Sequence, residues 1–244
     1  MDQEKQMNKI AFPKFTKKNP SPNYQKLIGM YEYMHKNGMK KFNVPESKSW
    51  VDSKNVFPGK KTLQHAEYVK MMCDHYNAKT LLDFGAGKSE HYNLPIKDKK
   101  GKSYINLQDY WGLNEIKTYE PALGYKIPNK KFDAVICTDV IEHVFFGDVF
   151  WTIKELFLRA KKFVYVNISC DLTKTVLPNG ENVHVTVRKP EYWHGVLDTI
   201  SSEFPGIDYV LVCASNPAVT LGKKEFIFFQ RINFNKLGNK LSTH

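Results

Sequence analysis

The stretch "TLLDFGAGKSEHYN", residues 80–93, runs from an apolar strand into an acidic residue and then into a turn with two glycines two positions apart. Glycine tolerates positive φ and leaves the backbone open to close approach. Gly85 and Gly87 therefore mark a tight strand-to-helix turn whose amides are expected to face a ligand. Spacing excludes two common versions of such a turn. A dinucleotide-binding turn carries a third glycine where this chain has Glu90, a charge that would oppose a pyrophosphate, and a P-loop needs a glycine where Leu82 stands. Asp83, which closes the strand, points instead to a cationic or amine-bearing ligand, because a carboxylate there accepts charge-assisted hydrogen bonds.

Working outward, short apolar runs alternate with helical or loop segments from Lys79 on, the pattern of a doubly wound, mostly parallel α/β sheet. "KTLLDF" is its first strand, and "EIKTY", "FDAVICT" and "KFVYVNI" follow. Between the last two, "DVFWTIKELFLRA" predicts a crossover helix with Asp148 as its cap and Phe150, Ile153, Phe157 and Ala160 facing inward. Pro190 opens another helix, with Trp193, Val196, Leu197 and Ile200 on one face. "IDYVLVC" and "EFIFFQRI" are joined by too few residues for a parallel crossover, so the chain should end in an antiparallel hairpin. Upstream, Leu27, Met30, Tyr31 and Met34 share one helical face, and a second helix should start at Thr62 as its N-cap. The expected organisation is a flexible basic arm (1–20), a helical and loop extension (21–61), the α/β domain (62–232) and a short tail (233–244).

With 244 residues the chain has room for one substantial core. No apolar run reaches the roughly 20 residues of a membrane span, and the N-terminus lacks the apolar core of a signal peptide, so a soluble, cytoplasmic protein is expected. Cys73, Cys137, Cys170 and Cys213 have no paired spacing, which indicates neither a disulfide framework nor a zinc site. The net charge is +11, and residues 1–61 hold thirteen lysines against five acidic residues, a surface that could attract nucleic acid or another polyanion. Oligomeric state is not legible here.

Three motifs in order carry a family resemblance. "LLDFGAGKS", "YEP" and "FDAVICTDVIEHV", followed by the terminal hairpin, resemble the class I S-adenosylmethionine-dependent methyltransferases. The resemblance implies S-adenosyl-L-methionine as cofactor, its methionyl part surrounded by Asp83, Gly85 and Gly87 and its ribose hydroxyls gripped by Glu120. "FPGKK" and "YEPALGYKIP" are similar to a small type-11-like subgroup common in bacteriophage sequences. The chain departs from the pattern in three places. Ser89 replaces the usual third glycine, a lysine-rich insertion separates the first two strands, and hardly any room is left for a third strand between Glu120 and Phe132. Leu123, Thr138 and Asp139 are the candidates for the adenine.

Methyl transfer from a sulfonium requires alignment and sometimes a base, since the cofactor carries the activated group. His143, just past the fourth strand, is a candidate to orient or deprotonate the acceptor, and His184 lies in a segment that resembles a substrate-facing loop. Glu142 reads as a solvent-facing helix residue. The chain lacks the [DN]PP[YFW] and Pro-Cys motifs of common DNA methylation. A small molecule, nucleotide or sugar-like acceptor is therefore expected, with RNA or another polyanion second. A non-catalytic cofactor-binding module and a nicotinamide oxidoreductase are the alternatives from other classes.

Overall fold

The computed structural model describes residues 15–215 and 225–231. Most of the expected arm, the connection between the last two strands, and the tail lie outside the described residues. In chain order the elements are α1 (Pro22–Asn37), β1 (Met39–Lys41), β2 (Trp50–Val51), α2 (Ala66–His75), β3 (Thr80–Phe84), β4 (Ile96–Lys97), β5 (Ser103–Tyr104) and α3 (Leu107–Trp111). They continue as β6 (Glu115–Tyr119), β7 (Phe132–Thr138), α4 (Val149–Arg159), β8 (Ala160–Ser169), β9 (Thr175–Val176), α5 (Pro190–Ser201), β10 (Asp208–Ser215) and β11 (Glu225–Arg231).

Six strands form the main sheet in the order β11-β10-β8-β7-β3-β6. Every neighbouring pair is parallel except the terminal hairpin, in which β11 runs antiparallel to β10 at the sheet edge. The chain is thus the α/β, mostly parallel sheet with an antiparallel last strand that its pattern predicts. Strands covered on both faces need apolar residues on both, and this one does. Leu82, Val135, Val166 and Leu211 pack on one side with α4 and α5, while Leu81, Ile136, Tyr165 and Val212 pack on the other with α2 and α3. Trp193 and Trp111 anchor the two layers; the Trp111 indole donates to the Ala66 carbonyl at 2.8 Å. Only a single-turn 3₁₀ segment, Pro121–Leu123, occupies the place of a third strand, so β6 is the other edge.

The extension forms a small third cluster of its own. Leu27 and Met34 of α1 meet Val56, Leu177 and Val183, and β1 pairs with β2 and with β9, which ties the extension to the segment after β8.

Several local expectations are corrected. Thr62 does not cap α2: a 3₁₀ segment, Lys60–His65, precedes that helix, and the Thr62 hydroxyl pairs with Thr138 at 2.7 Å. Asp148 stands at the cap position of α4 without a capping bond, because its carboxylate is taken by Ser21 and Trp151. Phe150 is half exposed and Ala160 belongs to β8; the inward face is Val149, Ile153, Leu156 and Phe157. Residues 15–20, within the expected arm, fold against the body: Thr16 and Asn19 bridge, and Lys17 pairs with Glu155 at 2.7 Å.

Candidate active site

A cavity of about 730 Å³ opens at the carboxyl ends of β3 and β7 and next to Glu120, which follows β6. That is where ligands sit in open α/β sheets, and the volume suits a cofactor with a second molecule beside it. Its floor is the glycine turn and the end of β7; its roof is α1, through Tyr24, Leu27 and Tyr31, with Phe57 from the loop that follows.

Both glycines are sterically required, for a reason the sequence does not reveal. Gly85 has φ of 83° and a Cβ there would fall on the Val140 side chain; Gly87 has φ of 55° and a Cβ there would fall on the Phe57 carbonyl. Ser89, in place of a third glycine, adopts the same left-handed conformation with φ of 59°. The expectation that the turn offers free amides is corrected. Gly85 and Ala86 donate to the Tyr119 carbonyl, Gly87 to Glu120 Oε2 at 3.1 Å, Lys88 to the Phe57 carbonyl, Ser89 to Ala86 and Glu90 to Pro58. The extension and the β6 loop consume the donors that an anion would need.

Asp83 is buried behind the turn, not in the cavity wall. It accepts from the Tyr92 hydroxyl at 2.8 Å and faces His91 Nε2 at 3.4 Å, so in this structure it supports the turn rather than presenting charge to the pocket. The 3₁₀ segment Glu90–Asn93, directly after the glycines, supplies both partners, which is why strand position alone misplaces the carboxylate. Glu120 does line the cavity. Oε1 accepts from Ala122 N–H and Oε2 from Gly87 N–H, which fixes its orientation, while burial raises its pKa against those two bonds. A carboxylate has about four acceptor directions, so two remain for a ligand.

Thr138 and Asp139 lie together at the end of β7 on the cavity wall; Leu123 is not among the lining residues, whereas Pro121 and Ala122 are. Asp139 adopts φ of 61°, a conformation costly for a non-glycine residue and frequent at sites where the fold over-determines the backbone.

On the cavity wall the structure also brings His143 and His184 together, with ring centroids 4.8 Å apart and planes nearly perpendicular. His143 Nδ1 lies 3.0 Å from the Val183 carbonyl and 2.8 Å from the Tyr31 hydroxyl, and Tyr31 itself donates to Val183. A carbonyl only accepts, so the proton is on Nδ1. Burial, reinforced by His184, lowers the His143 pKa to about 4, leaving the ring neutral. Glu142 is corrected from a solvent-facing residue to a fully buried one: Oε1 accepts from Ser169 N–H at 2.7 Å, and burial with Asp139 nearby raises its pKa well above the carboxylate range. Tyr31, Phe57 and Glu142 are the site residues that sequence reading missed. The helical stripe through Leu27 and Tyr31 was the available signal, but it reads equally as core.

Lys41, Lys60, Lys61 and Lys174 edge the cavity, and none of the four is in an ion pair among the described residues. Also among the described residues, no helix is long and apolar enough to cross a membrane.

No protein-family model and no curated protein matches the chain. A solved structure described as "DhpI-SAH complex structure" is similar at 11% identity and a TM-score of 0.30, over 83% of this chain and 78% of that one, and nothing is inferred from so slight a likeness.

Proposed function

We propose that the chain is an S-adenosylmethionine-dependent methyltransferase acting on a small acceptor that carries an anionic group, a nucleotide or sugar-like molecule among the candidates. The observation that carries this reading is one cavity lined both by an oriented carboxylate, Glu120, and by the His143–His184 pair. Glu120 would accept from both ribose hydroxyls, and the acidic character that it shares with Asp139 suits a cofactor bearing a sulfonium and an ammonium. The consumed turn amides speak against a pyrophosphate-bearing dinucleotide, which needs them as donors. Asp83 contributes by holding Tyr92 behind the turn. Tyr31 and the two histidines face the acceptor, and the lysine rim would attract its charge. The N-terminal lysine cluster keeps a polyanionic acceptor such as RNA as the second reading; deleting residues 1–14 would then reduce RNA binding and its salt dependence.

Calorimetry with S-adenosylhomocysteine tests the proposal. Wild type should bind it saturably and NADH not at all. Glu120→Ala should weaken binding by about 10- to 100-fold, since each hydrogen bond to a charged group contributes roughly 1.5–3 kcal/mol. Tight NADH binding, or equal S-adenosylhomocysteine affinity in both proteins, would overturn it.

A further inference from the structure

Glu142 lies behind the cavity wall and converges with His143 and His184, which line it, one ligand atom of each being within 4.8 Å of the others. Three independent features of this cluster are those of a ligand set. Glu142 is fully buried: its Oε1 accepts from Ser169 N–H, while its Oε2 has no hydrogen-bond partner among the described residues. An oxygen buried without a partner is a ready ligand atom for a cation. His143 gives its Nδ1 proton to the Val183 carbonyl, and His184 gives its own to the Asp171 carbonyl at 2.5 Å. Both rings are thereby anchored through Nδ1 on a backbone carbonyl. Anchoring the far nitrogen on a backbone carbonyl is how proteins orient metal-binding histidines.

We infer that Glu142, His143 and His184 bind one divalent first-row transition-metal ion, with Asp139 beside it. Two imidazoles and a carboxylate suit Zn²⁺, Mn²⁺ or Fe²⁺ better than Mg²⁺ or Ca²⁺, which favour all-oxygen sites. Bonds of about 2.1 Å in tetrahedral geometry place ligand atoms about 3.4 Å apart, so side-chain adjustments of about 1 Å close the set. The ion would keep a position open toward the cavity. Resting on the proposed methyl transfer, the acceptor atom there is an oxygen. The metal lowers the pKa of a bound hydroxyl, whose proton leaves to solvent; its lone pair forms the bond to the methyl carbon, and the carbon–sulfur pair returns to sulfur as the thioether. His143 then acts as a ligand instead of a base.

The test uses the untagged full chain, stripped with a chelator and titrated with Zn²⁺ by calorimetry, with Co²⁺ as a spectroscopic probe. One Zn²⁺ per chain should bind, and Co²⁺ should develop visible ligand-field bands absent from Co²⁺ in buffer. Glu142→Gln and His184→Ala should each weaken Zn²⁺ binding by about 100-fold or more, while the circular dichroism spectrum and urea midpoint of metal-free His184→Ala match those of the metal-free wild type, which reports its fold. Absence of one-to-one Zn²⁺ binding and of the Co²⁺ bands in wild type would overturn the site. So would unchanged Zn²⁺ affinity in both variants. Metal binding without S-adenosylhomocysteine binding would instead refute the proposed transferase activity and leave the metal site standing.

Discussion

Asp148 is the point at which the roof of the cavity is fastened to the α/β domain, and Asp148→Ala probes it directly. Its carboxylate is fully buried and accepts three hydrogen bonds, from Ser21 N–H at 3.0 Å, Ser21 Oγ at 2.5 Å and Trp151 Nε1 at 2.7 Å. Ser21 in turn caps α1 by accepting from Tyr24 N–H at 3.0 Å. Bonds to a charged acceptor contribute roughly 1.5–3 kcal/mol each, but they share one carboxylate whose burial costs several kcal/mol, so they do not add. Removing the acceptor strands the buried Ser21 and leaves the part-buried Trp151 indole without its partner, and the expected loss is about 3–5 kcal/mol. Asp148→Asn keeps the volume and part of the acceptor capacity and should lose about 1–2 kcal/mol. Urea unfolding at neutral pH measures both. A cycle with Ser21→Ala should show a coupling of about 1–3 kcal/mol, because the two residues are in direct contact. The first turn of α1 carries Tyr24 over the cavity, so Asp148→Asn should also weaken S-adenosylhomocysteine binding. Stability within about 1 kcal/mol of wild type for Asp148→Ala, or additive losses in the cycle, would refute the account of how α1 is held.

Two further perturbations separate packing from chemistry. Gly85→Ala should destabilise by more than the roughly 1–2 kcal/mol of a left-handed non-glycine residue, because the new methyl meets Val140; Val140→Ala should restore part of that loss, and a Gly85→Ala protein as stable as wild type would contradict the close approach. His35 lines the cavity and is held neutral, its pKa lowered to about 4 first by burial and then by Lys88. The unfolded chain therefore takes up the proton first, and the stability difference between wild type and His35→Gln should fall by about 1.5 kcal/mol, after allowance for solvent screening, as pH drops from 6.5 to 4. Urea unfolding at several pH values gives that difference, and a pH-independent one would refute the assignment. Glu120, with its pKa raised by burial, acts in the opposite sense near the carboxylate range in both proteins and cancels from the comparison.

Local pattern alone determined the sheet and the place of the site. Runs of apolar residues five to ten long have few ways to bury both faces, and the short link before β11 leaves only a hairpin, so β3, β6, β7, β8 and the final pair were legible as strands. Glu120 was legible through the resemblance of "YEP" to a family motif, and its place just after a parallel strand puts it on the crevice. The directions of the other polar side chains were not, because they depend on partners outside their own strand or helix. Asp83 turns away from the cavity toward Tyr92, the turn amides are used by Phe57 and Pro58 from the extension, and Thr62 leaves its helix to meet Thr138. Glu142 looks exposed in a helical register until Ser169, at the end of β8, closes over it. The pairing of His143 with His184 spans 41 positions and exists only because the segment after β8 folds back beneath α1. Secondary structure and the crevice follow from nearest neighbours in the chain; the clustering of Glu142, His143 and His184 follows from which loops meet, and only packing decides that.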